Sequence, residues 1–258
     1  MSKKFIAIIP SRYGSTRFPG KPLADIGGKP MIQRVYEQVI QAVEDVWVAT
    51  DDDRIAAAVR SFGGNVVMTS EDHRSGTDRC AEAVQKVSME TGITFEVVIN
   101  VQGDEPFIHP QQIAMLQRPF VDDPQTEIAT LIQQIHQTEV LFNVAEAKVA
   151  LDIHGNAMFF SRLPIPMNFK ADQSEWISMF RYYSHVGIYA YRTDILKKLS
   201  NLPEGKLEKA ESLEQLRWLE NGYKIKTVET DHSTVGIDTP EDLKRIVAAG
   251  IEKFYANR

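Results

Sequence analysis

The segment Phe5-Ile-Ala-Ile-Ile9 decides the fold of this chain. It is a short, nearly continuous apolar run closed by Pro10, which is typical of a strand buried on both faces of a parallel sheet. Further buried runs, at 46–49, 66–68 and 97–101, alternate with segments of helical spacing. This alternation of strand and helix predicts an α/β fold with a mostly parallel sheet, right-handed crossovers and flanking helices.

After about residue 126 the alternation loosens, and strand-like segments are separated by longer irregular stretches. The strand-like segments lie at 127–135, 147–151, 158–161 and 184–191. One amphipathic helix is predicted over Leu207–Glu220, because apolar residues recur there at intervals of three. Thr239-Pro-Glu-Asp242 predicts the start of a last helix. We therefore predict one α/β domain with a smaller, strand-rich insertion at about residues 140–200.

Composition restricts the class of protein. The chain has 258 residues, of which 43% are hydrophobic and 25% charged, as in ordinary globular domains. A net charge of −6 argues against a broad nucleic-acid surface, but it is compatible with a local basic site for a phosphorylated small molecule. The single cysteine, Cys80, cannot form an intrachain disulfide, and no apolar run approaches the roughly 20 residues that a membrane helix needs. We expect a soluble cytoplasmic protein with neither nucleic-acid nor membrane partners.

The loop after the first strand, Ser11-Arg-Tyr-Gly-Ser-Thr-Arg-Phe-Pro-Gly-Lys21, is the first candidate site. It lies at the carboxyl end of a predicted strand, where open parallel sheets bind their ligands. Its cations are Arg12, Arg17 and Lys21. Together with glycines and small hydroxyl residues such as Ser15, they can wrap and neutralise a triphosphate. The loop has neither the dinucleotide-binding glycine pattern nor the Walker A pattern. Composition alone leaves an exposed loop with incidental basic residues equally open.

Two further segments place polar groups where a strand ends or a helix begins. In Asp72–Arg79, Ser75 and Thr77 are good helix caps, and a plain helix N-terminus is the favoured interpretation of that segment alone. Asp104 is exposed where the best central strand stops, and Asp238 ends a short strand just before a helix. Mg²⁺ typically uses one or two protein carboxylates together with substrate phosphates, so the two aspartates suit it as a pair. Taken alone, this segment would be interpreted as a helix start that Asp238 or Thr239 caps.

Polar residues also interrupt two apolar segments, 159–166 and 184–191. Strand alternation places His185 and Tyr189 on one face, where they can address one pocket, although buried residues of these types are more often satisfied structural groups. The guanidinium of Arg162 suits a sugar carboxylate, because it binds such groups through two parallel hydrogen bonds.

Taken in order along the chain, these segments resemble the motifs of the sugar nucleotidyltransferases. The stretch Ala7-Ile-Ile-Pro-Ser-Arg-Tyr-Gly-Ser-Thr-Arg-Phe-Pro-Gly-Lys-Pro-Leu23 is similar to the signature of the cytidylyltransferases, in particular those that activate 3-deoxy-manno-octulosonate (KDO) for lipopolysaccharide synthesis. Further matching stretches are His-Arg-Ser-Gly-Thr-Asp-Arg at 73–79, Val-Gln-Gly-Asp-Glu-Pro at 101–106, Phe-Ser-Arg-Leu-Pro-Ile-Pro at 160–166, His-Val-Gly-Ile-Tyr-Ala-Tyr at 185–191, Leu-Glu-Gln-Leu-Arg at 213–217 and Gly-Ile-Asp-Thr-Pro-Glu-Asp at 236–242. The match runs essentially from end to end and departs at Phe142–Val149.

The resemblance implies a Rossmann-like nucleotidyltransferase sheet that binds CTP and Mg²⁺. The residues implied to contact the nucleotide are Arg12, Ser15, Arg17, Lys21, Ser75, Gly76, Thr77 and Arg79. Asp104 and Asp238 would bind Mg²⁺, with Glu105 and Asp242 as further candidates. The expected catalytic residues are Arg12, Lys21, Asp104 and Asp238. The residues implied to bind an acidic sugar are Gln102, Arg162, His185, Tyr189, Glu214 and Gln215.

The implied reaction is attack of the anomeric hydroxyl of KDO on the α-phosphate of CTP, which gives CMP-KDO and pyrophosphate. The resemblance also implies a homodimer, and it assigns sugar-binding and dimer contacts to the insertion at about 140–200. Two alternatives stay open: a cytidylyltransferase for another acidic sugar, such as a sialic acid or a modified octulosonate, and a non-catalytic nucleotide-binding relative. A Rossmann-type oxidoreductase is disfavoured because its glycine pattern is absent from the sequence.

Overall fold

The computed structural model describes residues 3–15, 17–233 and 235–256. Its strands are β1 (Phe5–Ser11), β2 (Asp45–Thr50), β3 (Asn65–Met68), β4 (Val97–Asn100), β5 (Ile128–Gln134), β6 (Lys148–Leu151), β7 (Ala157–Ser161), β8 (Tyr183–Arg192) and β9 (Ile225–Glu229). Its α-helices are α1 (Met31–Val39), α2 (Asp53–Ser61), α3 (Gly76–Thr91), α4 (Pro110–Asp122), α5 (Thr138–Phe142), α6 (Trp176–Met179), α7 (Thr193–Leu199), α8 (Lys206–Glu211), α9 (Gln215–Glu220), α10 (Pro240–Ala249) and α11 (Glu252–Ala256). Within these ranges, no helix has the length and apolar character needed to cross a membrane.

All the described strands belong to one mixed sheet, with the order β3-β2-β1-β4-β8-β5-β9. The strands β1 to β4 are parallel, as the alternation in the first hundred residues predicts. The second half departs from this pattern, because β8 is antiparallel to both β4 and β5, whereas β9 is parallel to β5. Within the predicted insertion, β6 and β7 form a hairpin beside β8, while β8 lies inside the main sheet. The predicted α/β class is confirmed.

Strand alternation divides the core into two layers on opposite faces of the sheet. On β1, Ile6 and Ile8 belong to the layer that includes α3, α7 and α9. Ala7 and Ile9 belong to the layer that includes α1, α2 and α4. All four side chains are fully buried. Because helices cover both faces of the sheet, its central strands are apolar throughout instead of alternating with polar residues.

The prediction of one continuous helix over Leu207–Glu220 is wrong, because the chain breaks into α8 and α9. Ser212, between the two helices, has a φ of 53° and is the only non-glycine residue with positive φ in the described part of the chain. A spacing of three residues falls about 60° short of a full helical turn at each step, so one continuous helix would rotate its leucine stripe away from the core. The break at Ser212 turns the following leucine side chains back toward the core, where Leu213 and Leu216 are buried.

The start of α10 brings Asp238 back to the edge of the sheet. Thr239 is the helix cap, since its hydroxyl accepts from the backbone N–H of Asp242 at 3.1 Å and the carboxylate of Asp242 accepts from the N–H of Thr239 at 3.0 Å. The predicted helix start is confirmed, and the side chain of Asp238 is left out of the cap. The backbone N–H of Ile237 donates to the backbone carbonyl of Asp104 at 3.0 Å. This bond holds Asp238 beside the end of β4.

Candidate active site

A cleft of about 240 Å³ opens at the carboxyl ends of β1 and β4, beside the N-terminus of α3. The loop after β1, the turn before α3 and the residues after β4 form its walls. The predicted site residues that line it are Arg12, Ser15, Arg17, Lys21, Ser75, Gly76, Arg79, Gln102 and Asp104. Segments distant in the sequence therefore meet at one place, as expected for the carboxyl edge of a parallel sheet.

Lys21 joins the two aspartates that were predicted to bind metal. Its Nζ atom lies 2.6 Å from Oδ2 of Asp104 and 3.3 Å from Oδ1 of Asp238. Arg17 makes a bidentate contact with Asp238, with N···O distances of 3.1 and 3.2 Å. Lys21 is only 9% exposed, whereas Arg17 lies at the surface. The two carboxylates therefore converge on one point, where they face a shielded cation.

This pair of carboxylates suits Mg²⁺, which retains water and phosphate oxygens as its other ligands. In the described residues, no group of three or more His, Cys, Asp or Glu side chains could hold a metal ion. Of the further candidates, Asp242 is engaged in the cap of α10. The Oε2 atom of Glu105 is buried and has no hydrogen-bond partner among the described residues. Burial, with the charges of Asp104 and Asp238, raises the pKa of Glu105 to about 8. Glu105 is therefore mostly protonated at neutral pH.

The turn before α3 combines a helix cap with a wall of the cleft. Ser75 caps the helix, since its hydroxyl accepts from the backbone N–H of Asp78 at 3.2 Å. Gly76 packs closely on the end of β1, because a Cβ atom at this position would lie 3.2 Å from Cγ of Pro10. The prediction that this segment caps a helix is therefore correct for Ser75. Ser75 also lines the cleft, so the two roles do not exclude each other.

Arg79 supports the cleft from a buried position. The residue is 3% exposed, and its guanidinium donates to Oγ1 of Thr69 at 2.5 Å and to Oδ2 of Asp51 at 2.6 Å. These contacts connect α3 to the chain just after β2 and β3. Sequence reasoning did not single out Asp51, although it begins an acidic run, 51–53, directly after a buried strand.

A second group of predicted residues lies on one face of β8. His185 and Tyr189 share that face, as alternation predicts, with a ring-centroid distance of 5.2 Å, and Tyr189 packs edge-on against Trp218 at 5.0 Å. Nε2 of His185 lies 3.0 Å from Oγ1 of Thr130. Burial lowers the pKa of His185 to about 3, so its imidazole is neutral at physiological pH. Sequence reasoning missed Thr130, and its signal was a polar residue inside the apolar strand β5.

Polar atoms around this face of β8 have few protein partners. Among the described residues, the buried atoms without a hydrogen bond include Oδ1 of Asn100, the hydroxyl of Tyr189, Oε1 of Glu214, Nε2 of Gln215 and Nε1 of Trp218. Asn100 on β4 lies directly opposite Tyr189 on β8. Buried polar groups nearly always have a partner, so a concentration of unpaired ones marks a place for a polar ligand or water. We call this group, together with His185, the β8 pocket.

One hydrogen bond connects the first turn of α3, directly after the wall of the cleft, to the β8 pocket. Oγ1 of Thr77, in the first turn of α3, donates to Oε2 of Glu214 at 2.9 Å. Glu214 immediately precedes α9. Burial raises the pKa of Glu214, and the hydroxyl groups of Thr77 and Ser75 oppose that shift.

Arg162 is engaged with the backbone. Its guanidinium donates to the carbonyl oxygens of Val144, Ala145, Glu211 and Ser212. Its own backbone N–H donates to the carboxylate of Glu211 at 2.9 Å. Arg162 therefore joins the loop before β6 to the turn between α8 and α9, and its predicted contact with a sugar carboxylate stays a prediction.

Comparison with known proteins points to one family. A family model described as cytidylyltransferase matches residues 6–225. The chain is 55% identical over 258 residues to a 3-deoxy-manno-octulosonate cytidylyltransferase of Bacteroides thetaiotaomicron, with 99% of each chain covered. It is 45% identical to a protein of the same name from Escherichia coli, with 98% of this chain and 99% of the other covered. The solved structure of a CMP:2-keto-3-deoxy-manno-octonic acid synthetase complexed with CTP has a TM-score of 0.88 and 44% identity, and the match covers 97% of this chain and 100% of that one.

Proposed function

The chain belongs to the cytidylyltransferase family, and we propose that it transfers CMP from CTP to the anomeric hydroxyl of KDO, with release of pyrophosphate. The observation that carries this function is the meeting of Lys21 with Asp104 and Asp238 at the cleft, beside the helix whose Thr77 donates a hydrogen bond to Glu214 of the β8 pocket. The cleft has the charge needed for a triphosphate, and the pocket has the neutral polar atoms needed for a sugar.

The cations of the cleft bind and neutralise the triphosphate. Arg12, Arg17 and Lys21 lie on one loop, and Ser15 lines the same wall. Lys21 and Arg17 are already oriented by their aspartate partners, so little rearrangement is needed to present them to phosphate oxygens. Stabilising the charge on the transferred phosphate and on the leaving pyrophosphate is the main catalytic task in phosphoryl transfer.

Asp104 and Asp238 are the residues that would hold Mg²⁺. When bound there, Mg²⁺ would neutralise the triphosphate and polarise the α-phosphate. Lys21 lies between the two carboxylates, and on binding of the triphosphate it would pass from a carboxylate partner to a phosphate partner.

The β8 pocket and its surroundings would hold the acceptor. Hydroxyls of the sugar would satisfy Asn100, Tyr189, Glu214 and Gln215, whose buried polar atoms have no partner among the described residues. The neutral His185 can donate or accept without placing a charge under the sheet. Gln102 lies on the wall of the cleft, where the two substrates would meet. Arg162 would have to exchange some of its backbone contacts to reach the sugar carboxylate.

Pyrophosphate release from CTP and Mg²⁺ across a panel of acidic sugars tests this function. We expect the highest kcat/KM with KDO, lower values with related octulosonates, and the lowest value with sialic acid. A higher value with another sugar would assign the chain to that acceptor. Binding of CTP without pyrophosphate release from any member of the panel would identify a non-catalytic relative.

We also propose that two copies form a homodimer through the segment between β7 and β8. Its exposed large apolar residues are Leu163, Met167, Phe169, Met179 and Phe180. Apolar side chains concentrated on one surface segment are typical of an interface. Phe169→Lys should shift the mass measured by light scattering from dimer to monomer, whereas Met89→Lys, on the exposed side of α3, should not. A wild-type monomer at micromolar concentration would contradict the proposal.

We place the activity in the cytoplasm and, through KDO, in lipopolysaccharide biosynthesis. A buried, unpaired Cys80 is compatible with a reducing compartment. Fractionation of cells should recover the protein with cytoplasmic markers, and recovery with the periplasm would contradict this placement.

A further inference from the structure

We propose that Thr77 is a positioning residue for the acceptor sugar and not a contact of the nucleotide. Its hydroxyl holds one oxygen of Glu214 so that the other oxygen faces the sugar. The inference deepens the proposed function and rests on it, because it assigns a role within the same site. It also changes the role that resemblance implies for Thr77.

The position of Thr77 separates it from the nucleotide cleft. Ser75 and Gly76 line the cleft, and so does Arg79, but Thr77 is not among the described residues that line it. Its side chain is 2% exposed. Ser75 already caps α3, so the hydroxyl of Thr77 is not needed by the backbone at the start of the helix.

The hydroxyl of Thr77 is directed to the sugar side. It donates to Oε2 of Glu214 at 2.9 Å, while Oε1 of Glu214 is buried and has no hydrogen-bond partner among the described residues. Burial raises the pKa of Tyr191, and a contact with the side chain of Thr77 partly offsets this rise. Thr77 therefore has neighbours from two elements of the acceptor side, β8 and the turn before α9.

The turn that carries Glu214 depends on such support. Glu214 follows the left-handed Ser212, and its φ and ψ of −57° and −37° are already helical. No capping hydrogen bond from its side chain to α9 holds the carboxylate in place. The hydrogen bond from Thr77 therefore holds the carboxylate of Glu214 from the first turn of α3, and the nearby hydroxyl of Ser75 also favours its charged form.

Steady-state kinetics with Thr77→Val separates the two roles, since valine keeps the shape and removes the hydroxyl. We expect the KM for KDO to rise about tenfold, as for loss of a hydrogen bond to a charged group, while the KM for CTP stays within about twofold of wild type. Thr77→Ser keeps a hydroxyl and should restore the KM for KDO. Thr91→Val, at the other end of α3, is the matched control, because its hydroxyl contacts only local backbone, donating to the carbonyl of Val87 and accepting from the N–H of Ile93.

A double substitution tests whether Thr77 acts through Glu214. In a Glu214→Ala background, Thr77→Val should raise the KM for KDO no further, because the partner is already gone. A rise in the KM for CTP with an unchanged KM for KDO would make Thr77 a nucleotide contact and overturn the inference. Unchanged values for both substrates would overturn it as well. Thermal unfolding of each variant shows whether it is folded. If Thr77→Val is not folded, the KM values of Thr77→Ser in the wild-type and Glu214→Ala backgrounds are compared instead.

The wild-type panel keeps the two proposals distinct. If the wild type uses another acidic sugar in place of KDO, the proposed acceptor is wrong, and the Thr77 comparison is made with that sugar. If the wild type turns over with KDO but Thr77→Val behaves like wild type, the function stands and the inference fails. If no sugar releases pyrophosphate, both fail.

Discussion

The cleft and the β8 pocket lie next to each other but differ in their polar groups: the cleft contains paired charges, and the pocket contains mostly neutral groups. In the cleft, charges face one another: Lys21 contacts both Asp104 and Asp238, and Arg17 contacts Asp238. In the β8 pocket, the groups are uncharged or poorly paired, as with His185, whose pKa is lowered to about 3. The cleft is at the edge of the sheet, where loops and water can hold charges, whereas the pocket is on a sheet face beneath helices, where a charge is costly.

This difference is the basis on which we propose where the two substrates bind. Convergent charges at a strand end can bind and stabilise a triphosphate, and neutral donors and acceptors under a helix can recognise hydroxyls. The topology explains why the two sites meet. The parallel strands β1 and β4 end at the cleft, and antiparallel β8 beside β4 presents side chains along its length to the same region.

The largest expected effect comes from Asp104→Asn, which keeps the size of the side chain and removes the charge. If the carboxylates of the cleft are metal ligands, kcat should fall about 10³-fold or more in assays of pyrophosphate release with CTP, KDO and Mg²⁺. Asp194→Asn is the control, because Asp194 pairs with Arg192 away from the cleft at 2.6 Å. Full turnover of Asp104→Asn would contradict the assignment of Asp104 as a metal ligand. It would also contradict the proposed difference between a charged, metal-binding cleft and a neutral pocket.

Lys21→Met tests whether the cation between the carboxylates also serves the phosphates. Loss of a positioned charge at the transferred phosphate should lower kcat about 10²-fold. Lys29→Met is the matched control, since Lys29 forms an ion pair with Glu37 at 2.7 Å outside the cleft. If Lys21 only neutralised the aspartates, the variant should bind Mg²⁺ at least as well as wild type and lose little turnover, and that result would contradict its catalytic role.

Tyr189→Phe sharpens the contrast from the side of the pocket. Its hydroxyl has no hydrogen-bond partner among the described residues, so its removal should change the free energy of unfolding by less than about 1 kcal/mol but raise the KM for KDO about fivefold. Tyr182→Phe should do the reverse, because the hydroxyl of Tyr182 donates to the carbonyl of Pro166 at 3.0 Å. It should lose about 1 kcal/mol of stability with an unchanged KM. Equal behaviour of the two variants would show that the pocket is not a ligand site.

The smallest expected effect is on the pH dependence of stability, and it follows from the neutral His185 in the pocket. The pKa of His185 is about 3 in the folded protein and near 6.5 in an unfolded chain, so the unfolded state binds more protons between these values. Stability should therefore fall as the pH is lowered from about 6.5 toward 3. In His185→Gln, denaturant unfolding between pH 6.5 and 4.5 should show a shallower fall than in wild type. The same change at the exposed His136 controls for loss of an imidazole, and parallel curves for His185→Gln and wild type would refute the prediction.

The sequence predicts the residues of the cleft far better than those of the pocket, because the signals for the cleft lie close together along the chain. Strand ends, glycines and cations in the loop after β1 are short-range signals, so Arg12, Lys21 and Asp104 could be assigned to one edge before the structure was known. The place of Asp238 there needed the resemblance, because its own surroundings also fit a helix cap. The structure shows that Thr239 provides that cap.

The pocket depends on contacts that no local pattern contains. The break at Ser212 follows from how two leucines reach the core, and the spacing of three residues alone suggested one helix. The contacts of Arg162 are with backbone carbonyls, which any sequence would offer, so its residue type favoured a carboxylate partner instead. The partnership of Thr77 with Glu214 joins residues 137 positions apart, and only the fold reveals it.

The backbone hydrogen bond between Ile237 and Asp104 holds Asp238 at the site, and Asp238 is synthesised later than the residues around it. The residues of the loop, the cleft wall and the β8 pocket all lie at or before residue 218, so the ribosome adds Asp238 after them. A nascent chain interrupted before that point can hold the phosphate loop but lacks the second carboxylate. If Asp238 is required for turnover, as we propose, incomplete products of translation are unable to consume CTP, and the appearance of activity reports that synthesis has passed residue 238.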